Sequence, residues 1–360
     1  MPQKTSVIGA AVSAAAAIVA FLLSYWKSRA LDKKKAQYQT ELEAVKTTYQ
    51  GDLERRKTEL QKELEEFKAD IADQAAAANA RRGYEYDARK RLYAQVEPLL
   101  FQLFESAEGA FHAVSSLART QRNADLPAWL SAKATKYYIR SMIHRLFAPL
   151  AILRLIQRST TLIDLNLDPS IRLRYALLKE CYLTWTDDFE IAKLEPELEY
   201  DPGNTNWIDL RDGEPAIYWR QGIVIGHLDR LIDSMTVDDG PIRRSMNFGQ
   251  FEKLVGDGGE FAQVYDLVED VFSDFSFPSR PVLGRILLIY ACLMHTLMSV
   301  YGNPAADSDV ANIFSRWLDA DDQGKMLRWW GDTDPDVFAI VRPYVLRRIK
   351  QAITPDYVKF

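Results

Sequence analysis

The chain has 360 residues, 48% hydrophobic and 26% charged, with two cysteines and a net charge of −5. That hydrophobic content excludes a globally disordered chain, and two cysteines exclude a disulfide framework. The charge is uneven: residues 27–91 carry 16 basic and 13 acidic side chains, residues 92–360 carry 28 and 37, so an acidic main domain argues against nucleic-acid binding through charge.

The first element predicted is a transmembrane helix over Val7–Trp26, within an anchor spanning residues 1–29. Twenty residues without a charge span about 30 Å as a helix, the thickness of a bilayer core. Val7, Val12, Ile18 and Phe21 supply apolar surface, and Tyr25 and Trp26 stand where an interfacial aromatic belt would be. Lys4 precedes the segment, whereas Lys27, Arg29, Lys33, Lys34 and Lys35 follow it. The positive-inside rule places the N-terminus outside and the bulk of the chain in the cytoplasm, at an inner membrane. A cleaved signal peptide would carry its basic cluster on the other side of the apolar run.

Residues 30–82 read as a coiled-coil stalk rich in Glu, Lys, Gln and Ala, all strong helix formers. Apolar residues recur every eleven positions, in one row of Leu31, Leu42, Leu53, Leu64 and Ala75 and a second of Tyr38, Tyr49, Leu60 and Ile71. A weaker row is Val45, Phe67 and Ala78, broken by Arg56, and Lys35, Lys46, Lys57 and Lys68 repeat on the flank. Eleven residues in three turns predict a nearly straight or slightly right-handed coil. So narrow a seam is marginal in water, which predicts a homo-oligomer. The alternative is a single solvated helix held by ion pairs such as Glu59 to Lys62 and Glu63 to Lys68. Gly51 is the expected soft point, and the basic cluster Arg81–Arg91 reads as a solvated helix start.

Residues 83–360 are expected to form an all-α cytoplasmic domain, with no β-strand. Val96, Leu100, Leu103, Ala107, Phe111 and Val114 recur at helical spacing, and Pro98 should kink that helix or mark its start. A long helix is expected from Asp125-Pro127 to Gln157, bent or ended by Pro149. Asp168-Pro169 opens the next as cap and first residue. Glu195–Gly213 reads as a loop, and Glu214-Pro215 as the start of a helix to Met235. Shorter helices follow over Phe248–Val255 and up to Phe272. Pro281–Tyr301 is apolar on almost every side and reads as a buried central helix rather than a second membrane span. Asp334-Pro335 opens a final helix. Cys181 and Cys292 read as buried thiols.

Phosphate-binding, dinucleotide-binding, H-E-x-x-H, paired C-x-x-C and G-x-S-x-G motifs are absent, so no cofactor or metal is expected. The pairs Asp187-Asp188, Asp238-Asp239 and Asp321-Asp322 read as helix caps or solvated faces, and His295 as a core histidine. The aromatic set Trp185, Trp207, Trp219, Trp317, Trp329 and Trp330 reads as core. Arg220 and His227 lie seven apart on an expected helix, on one side of it. This spacing resembles the R-x(4–6)-H signature of HEPN ribonucleases, which are all-α. The resemblance covers eight residues and implies metal-independent RNA cleavage, with His227 in acid/base chemistry and Arg220 steadying the phosphate. Gly222 and Gly226 between them suggest close helix packing instead.

The first expectation is therefore a non-enzymatic, membrane-anchored, self-associating scaffold or sensor. It would present its cytoplasmic domain to an unidentified protein partner, as in a multi-protein system such as phage defence. The alternatives are a membrane-tethered HEPN-like ribonuclease using Arg220 and His227, and an oligomeric pore-forming effector.

Overall fold

The computed structural model describes residues 5–122, 130, 136–161, 163–195, 200, 220–239, 242–272, 275–277, 279–300, 310 and 337–354. Most of them are helical. The described helices are α1 (Thr5–Arg122), α2 (Tyr137–Thr160), α3 (Pro169–Thr184), α4 (Asp188–Ala192), α5 (Ile225–Ser234), α6 (Phe248–Gly256), α7 (Glu260–Phe272), α8 (Pro281–Val300) and α9 (Val337–Ile353). The chain divides into two compact units, Met1–Gly83 and Tyr84–Phe360.

The first unit is helix from Thr5 onward, and Gly51 does not interrupt it. Among its described ion pairs are Arg55–Glu59 at 3.8 Å and Lys62–Glu66 at 3.9 Å. All four side chains are well exposed, so these pairs contribute little. Its threonines turn inward: the Thr40, Thr47, Thr48 and Thr58 hydroxyls donate to carbonyls four residues earlier.

Among the described residues, one helix is long and apolar enough to cross a membrane, and it is α8, with 83% of its apolar window buried. The N-terminal span is therefore not marked by the helical fold itself.

The second unit is built around α8, which packs on α3, α4 and α9. Its buried face includes Val282, Leu283, Ile286, Leu287, Ile289, Tyr290, Leu293 and Leu297. The expectation of a buried central helix holds. The α1 residues of this unit contribute Leu92, Val96, Leu99, Leu103, Phe111 and Val114 to the same core. Pro98 lies inside the helix without ending it, at the cost of the hydrogen bond its missing N–H would make. Pro149 is likewise inside α2. The start expected for that helix at Asp125-Pro127 lies outside the described residues, and the described helix opens at Tyr137, after Lys136 in the left-handed region (φ 44°). Trp185 is fully buried, with ring centroids 4.8 Å from Phe147 and 5.3 Å from Tyr290.

Asp168 caps α3 as expected: its Oδ1 accepts from the N–H of Ser170 (2.8 Å) and of Ile171 (3.0 Å), and Tyr93 donates to its Oδ2 (2.7 Å). Burial alone would raise the Asp168 carboxyl, but these hydrogen bonds together hold it below its ordinary value. Asn247 and Gln250 form a reciprocal capping box on α6.

One expectation is corrected. Thr236–Asp239 (β1) and Ile242–Ser245 (β2) form an antiparallel hairpin. Four residues a side are too few to show alternation in the sequence, and the pairing is partly ionic: Asp238 opposes Arg243, with Oδ1 3.4 Å from Nε. Asp238 is thus a cross-strand partner.

Two glycines separate packing from mere flexibility. A Cβ on Gly284 would stand 2.3 Å from the buried Phe277 ring, whereas a Cβ on Gly226 meets nothing within 4 Å. Gly284→Ala is expected to cost about 1–3 kcal/mol by overpacking, while Gly226→Ala costs nothing. Urea unfolding of the detergent-solubilised chain, followed by circular dichroism, measures both.

Candidate functional site

The residues between Arg220 and Ile223 form a clamp rather than a helical turn. They are held at Trp185, Asp188 and the start of α8. The Ile223 N–H donates to the Trp185 carbonyl (2.8 Å). Gly222 lies so close to Asp188 that a Cβ would come within 2.5 Å of the Asp188 Cβ, and its N–H donates to Asp188 Oδ2 (3.3 Å). Tyr200 donates its hydroxyl to the same carboxylate and accepts from the Gln221 N–H (2.9 Å). Burial first, and then the Asp188 charge, pushes the Tyr200 phenol far up. Arg220 Nε stands 3.5 Å from Asp188 Oδ2, closing an ion pair on a carboxylate that is only 2% exposed.

Gln221 is fully buried, and its side-chain carbonyl accepts from the Leu283 N–H (2.9 Å). Leu283 is in the first turn of α8, where backbone N–H groups have no helical partner. Gln221 thus satisfies one end of the central helix.

The expected arrangement of Arg220 and His227 on one helix is corrected. Arg220 precedes α5, and His227 is in its first turn. The Gly222 contact with Asp188 and the Ile223–Trp185 hydrogen bond hold the segment off the helical path. Both side chains nevertheless line one cavity, with Val224, Leu267, Val268 and Val271, of about 70 Å³. That holds a few water molecules, against the 300–1,000 Å³ or so of small-molecule sites. Gly226 makes no close packing contact.

The acidic pair Asp187-Asp188 splits between two clusters. Asp188 joins the clamp. Asp187 pairs with Arg348 on α9, which also meets Glu180 Oε2 (2.9 Å) and the Tyr344 hydroxyl. Glu180 is fully buried. Arg154 on α2 pairs with Asp229 and with Asp233 (2.8 Å) on α5. Among the described residues, no group of three or more His, Cys, Asp or Glu is placed to hold a metal ion. Asp321-Asp322, Trp207, Trp219, Trp317, Trp329 and Trp330 lie outside the described residues. Cys181 and Cys292 are free and buried, and burial raises both thiols. His295 packs against Phe111, with ring centroids 5.6 Å apart.

A larger recess, about 810 Å³, lies between α1, α2, β2 and α6. Phe101, Glu105, His144, Arg145, Arg244 and Phe248 are among its lining residues. Phe101 is 60% exposed. The sequence pattern held one sign of it, since Phe101 falls outside the apolar row that buries Leu100 and Leu103. The other lining residues come from distant segments and carried no local signal. His144 Nε2 is 2.7 Å from the Met246 carbonyl; a carbonyl only accepts, so Nε2 carries the proton. Burial, and secondarily Arg145, lowers the His144 pKa against the opposing pull of that hydrogen bond.

The predicted anchor and stalk residues are exposed wherever their side chains are described. Val12, Ile18, Phe21 and Trp26 are 60–75% exposed, and Leu31, Tyr38, Leu42, Tyr49, Leu53, Leu60, Leu64 and Ile71 are 51–72% exposed. Val7 lies in α1. Comparison with protein-family models, with curated proteins and with solved structures returned no match.

Two outcomes follow from this geometry. Gln221→Leu strands the buried Leu283 N–H and is expected to cost about 1–3 kcal/mol in urea unfolding. The folded chain resists protonating His144, so the unfolded chain binds the extra proton below about pH 6.5. Stability from this group is present above that pH and is lost as pH falls. The urea midpoint should therefore drop between about pH 7.5 and about pH 5.5, and drop less in His144→Gln.

Proposed function

We propose that this chain is a membrane-anchored, self-associating helical scaffold or sensor whose Tyr84–Phe360 unit is a cytoplasmic interaction domain. The observation that carries the reading is apolar surface left exposed on the helix of the Met1–Gly83 unit. Val12, Ile18, Val19, Phe21, Leu22 and Leu23 are 49–70% exposed on a single helix. Fully burying such a side chain is worth about 1.5–3 kcal/mol, and lipid offers that burial to all sides of a helix at once. The polar groups nearby agree: Ser24 donates to the Phe21 carbonyl (2.8 Å) and Ser28 to the Tyr25 carbonyl (3.0 Å), which hides both hydroxyls from hydrocarbon. The Arg29 guanidinium lies over the Tyr25 ring, 5.7 Å from its centroid, as an interfacial pair would.

Beyond Trp26 the uncharged stretch gives way to a charged helix carrying the exposed apolar rows, which suits a second chain better than lipid. The 810 Å³ recess with its exposed Phe101 supports an interaction role for the second unit. A ribonuclease reading is less well supported, because the cavity shared by Arg220 and His227 is small and Asp188 already engages the arginine.

The test is membrane fractionation of the full-length protein. It should stay in the pellet through alkaline carbonate and high salt and be released by detergent. Phe21→Lys together with Leu22→Lys should move it to the soluble fraction. Native protein that washes off in carbonate overturns the anchor.

A further inference from the structure

Four tandem eleven-residue units fill residues 31–74, beginning at Leu31, Leu42, Leu53 and Leu64. The eighth position of each is Tyr38, Tyr49, Leu60 or Ile71, and the fourth is Lys34, Val45, Arg56 or Phe67. With three turns in eleven residues, each residue advances about 98°. The first, fourth and eighth positions then fall in one strip about 65° wide, which is the exposed apolar seam. The fifth position is always lysine: Lys35, Lys46, Lys57 and Lys68. It lies about 65° from the strip's centre on one side. The eleventh position is Glu41, Asp52, Glu63 and then Gln74, about 65° from the centre on the other side. A cationic rail and an anionic rail thus flank the seam, and every one of these side chains is exposed.

We propose that this face is a parallel, in-register interface between copies of this chain. The proposal rests on the self-association read above and adds its direction and its pairing. Two parallel helices related by rotation about their common axis bring the right flank of one beside the left flank of the other. Each lysine rail then meets a carboxylate rail, Glu41 with Lys46 of the second copy, Asp52 with its Lys57 and Glu63 with its Lys68. An antiparallel pair sets lysine against lysine and carboxylate against carboxylate. Flanking charges of this kind choose partner and orientation, while the apolar seam supplies the attraction. Arg56, inside the seam, lies one turn beyond Asp52 and can carry its charge out to that rail along an apolar stem. Copies anchored through Val7–Trp26 also enter the bilayer in the same direction, which agrees with parallel pairing.

The experiment uses the full chain in dodecylmaltoside, where detergent lets monomers reorient. Leu31→Cys and Leu64→Cys variants with different affinity tags are mixed, oxidised and separated under denaturing conditions. The unsubstituted protein, whose two thiols are buried, is the control. Disulfides joining 31 to 31 and 64 to 64 are expected. Disulfides joining 31 to 64 overturn the parallel arrangement while leaving self-association standing. A sedimentation profile of monomer alone at all concentrations overturns both. For the rails, Lys46→Glu with Lys57→Glu and Lys68→Glu should weaken self-association about tenfold. Mixing that variant with Glu41→Lys, Asp52→Lys, Glu63→Lys should restore it. Unchanged association after the lysine reversal overturns the pairing of the rails.

Discussion

A helix that is apolar on nearly every side must be covered on every side, and α8 imposes that demand on the second unit. Removing about 25 cal/mol of unfavourable hydration per Å² along twenty residues leaves few alternatives to surrounding it. The α3, α4 and α9 helices do so. The few polar groups on α8 then need partners that stay with them in the interior. Arg285 pairs with Glu195, the Tyr290 hydroxyl donates to the Leu146 carbonyl, and Gln221 accepts from the Leu283 N–H.

Around this helix the unit is also tied together by buried and half-buried ion pairs. Glu180 and Asp187 hold Arg348, and Asp188 holds Arg220. Buried charges are costly to bring out of water and costlier to leave alone, so each fixes the position of its partner more than it adds stability. Two adjacent aspartates consequently point to different tasks, one tying α9 to the turn between α3 and α4 and the other receiving the clamp that begins at Arg220.

The first unit obeys the opposite rule. Its helix is complete, yet its apolar side chains remain in the open. Among the described residues of Met1–Gly83 nothing shields them, because a lone helix has no second layer. The environments proposed for them are lipid for the uncharged stretch and a second copy for the charged one.

How much of this was legible depends on how local the signal was. Periodicity is a local property, so the eleven-residue rows, the Asp168 cap, the α6 and α7 helices and the buried character of α8 could be read directly. The hairpin could not, because four-residue strands have no period to display. Nor could the clamp. A seven-residue interval places Arg220 and His227 together only if the backbone between them is helical, and that depends on Asp188 and Trp185, more than thirty residues earlier in the chain. No local pattern marked Gln221 either, which caps a helix about sixty residues further on. The sequence by itself determined which surfaces need covering, since hydrophobic period and charge belong to the chain. Only the tertiary structure decided which polar side chain meets which, because those meetings are set by packing between segments that no local pattern connects.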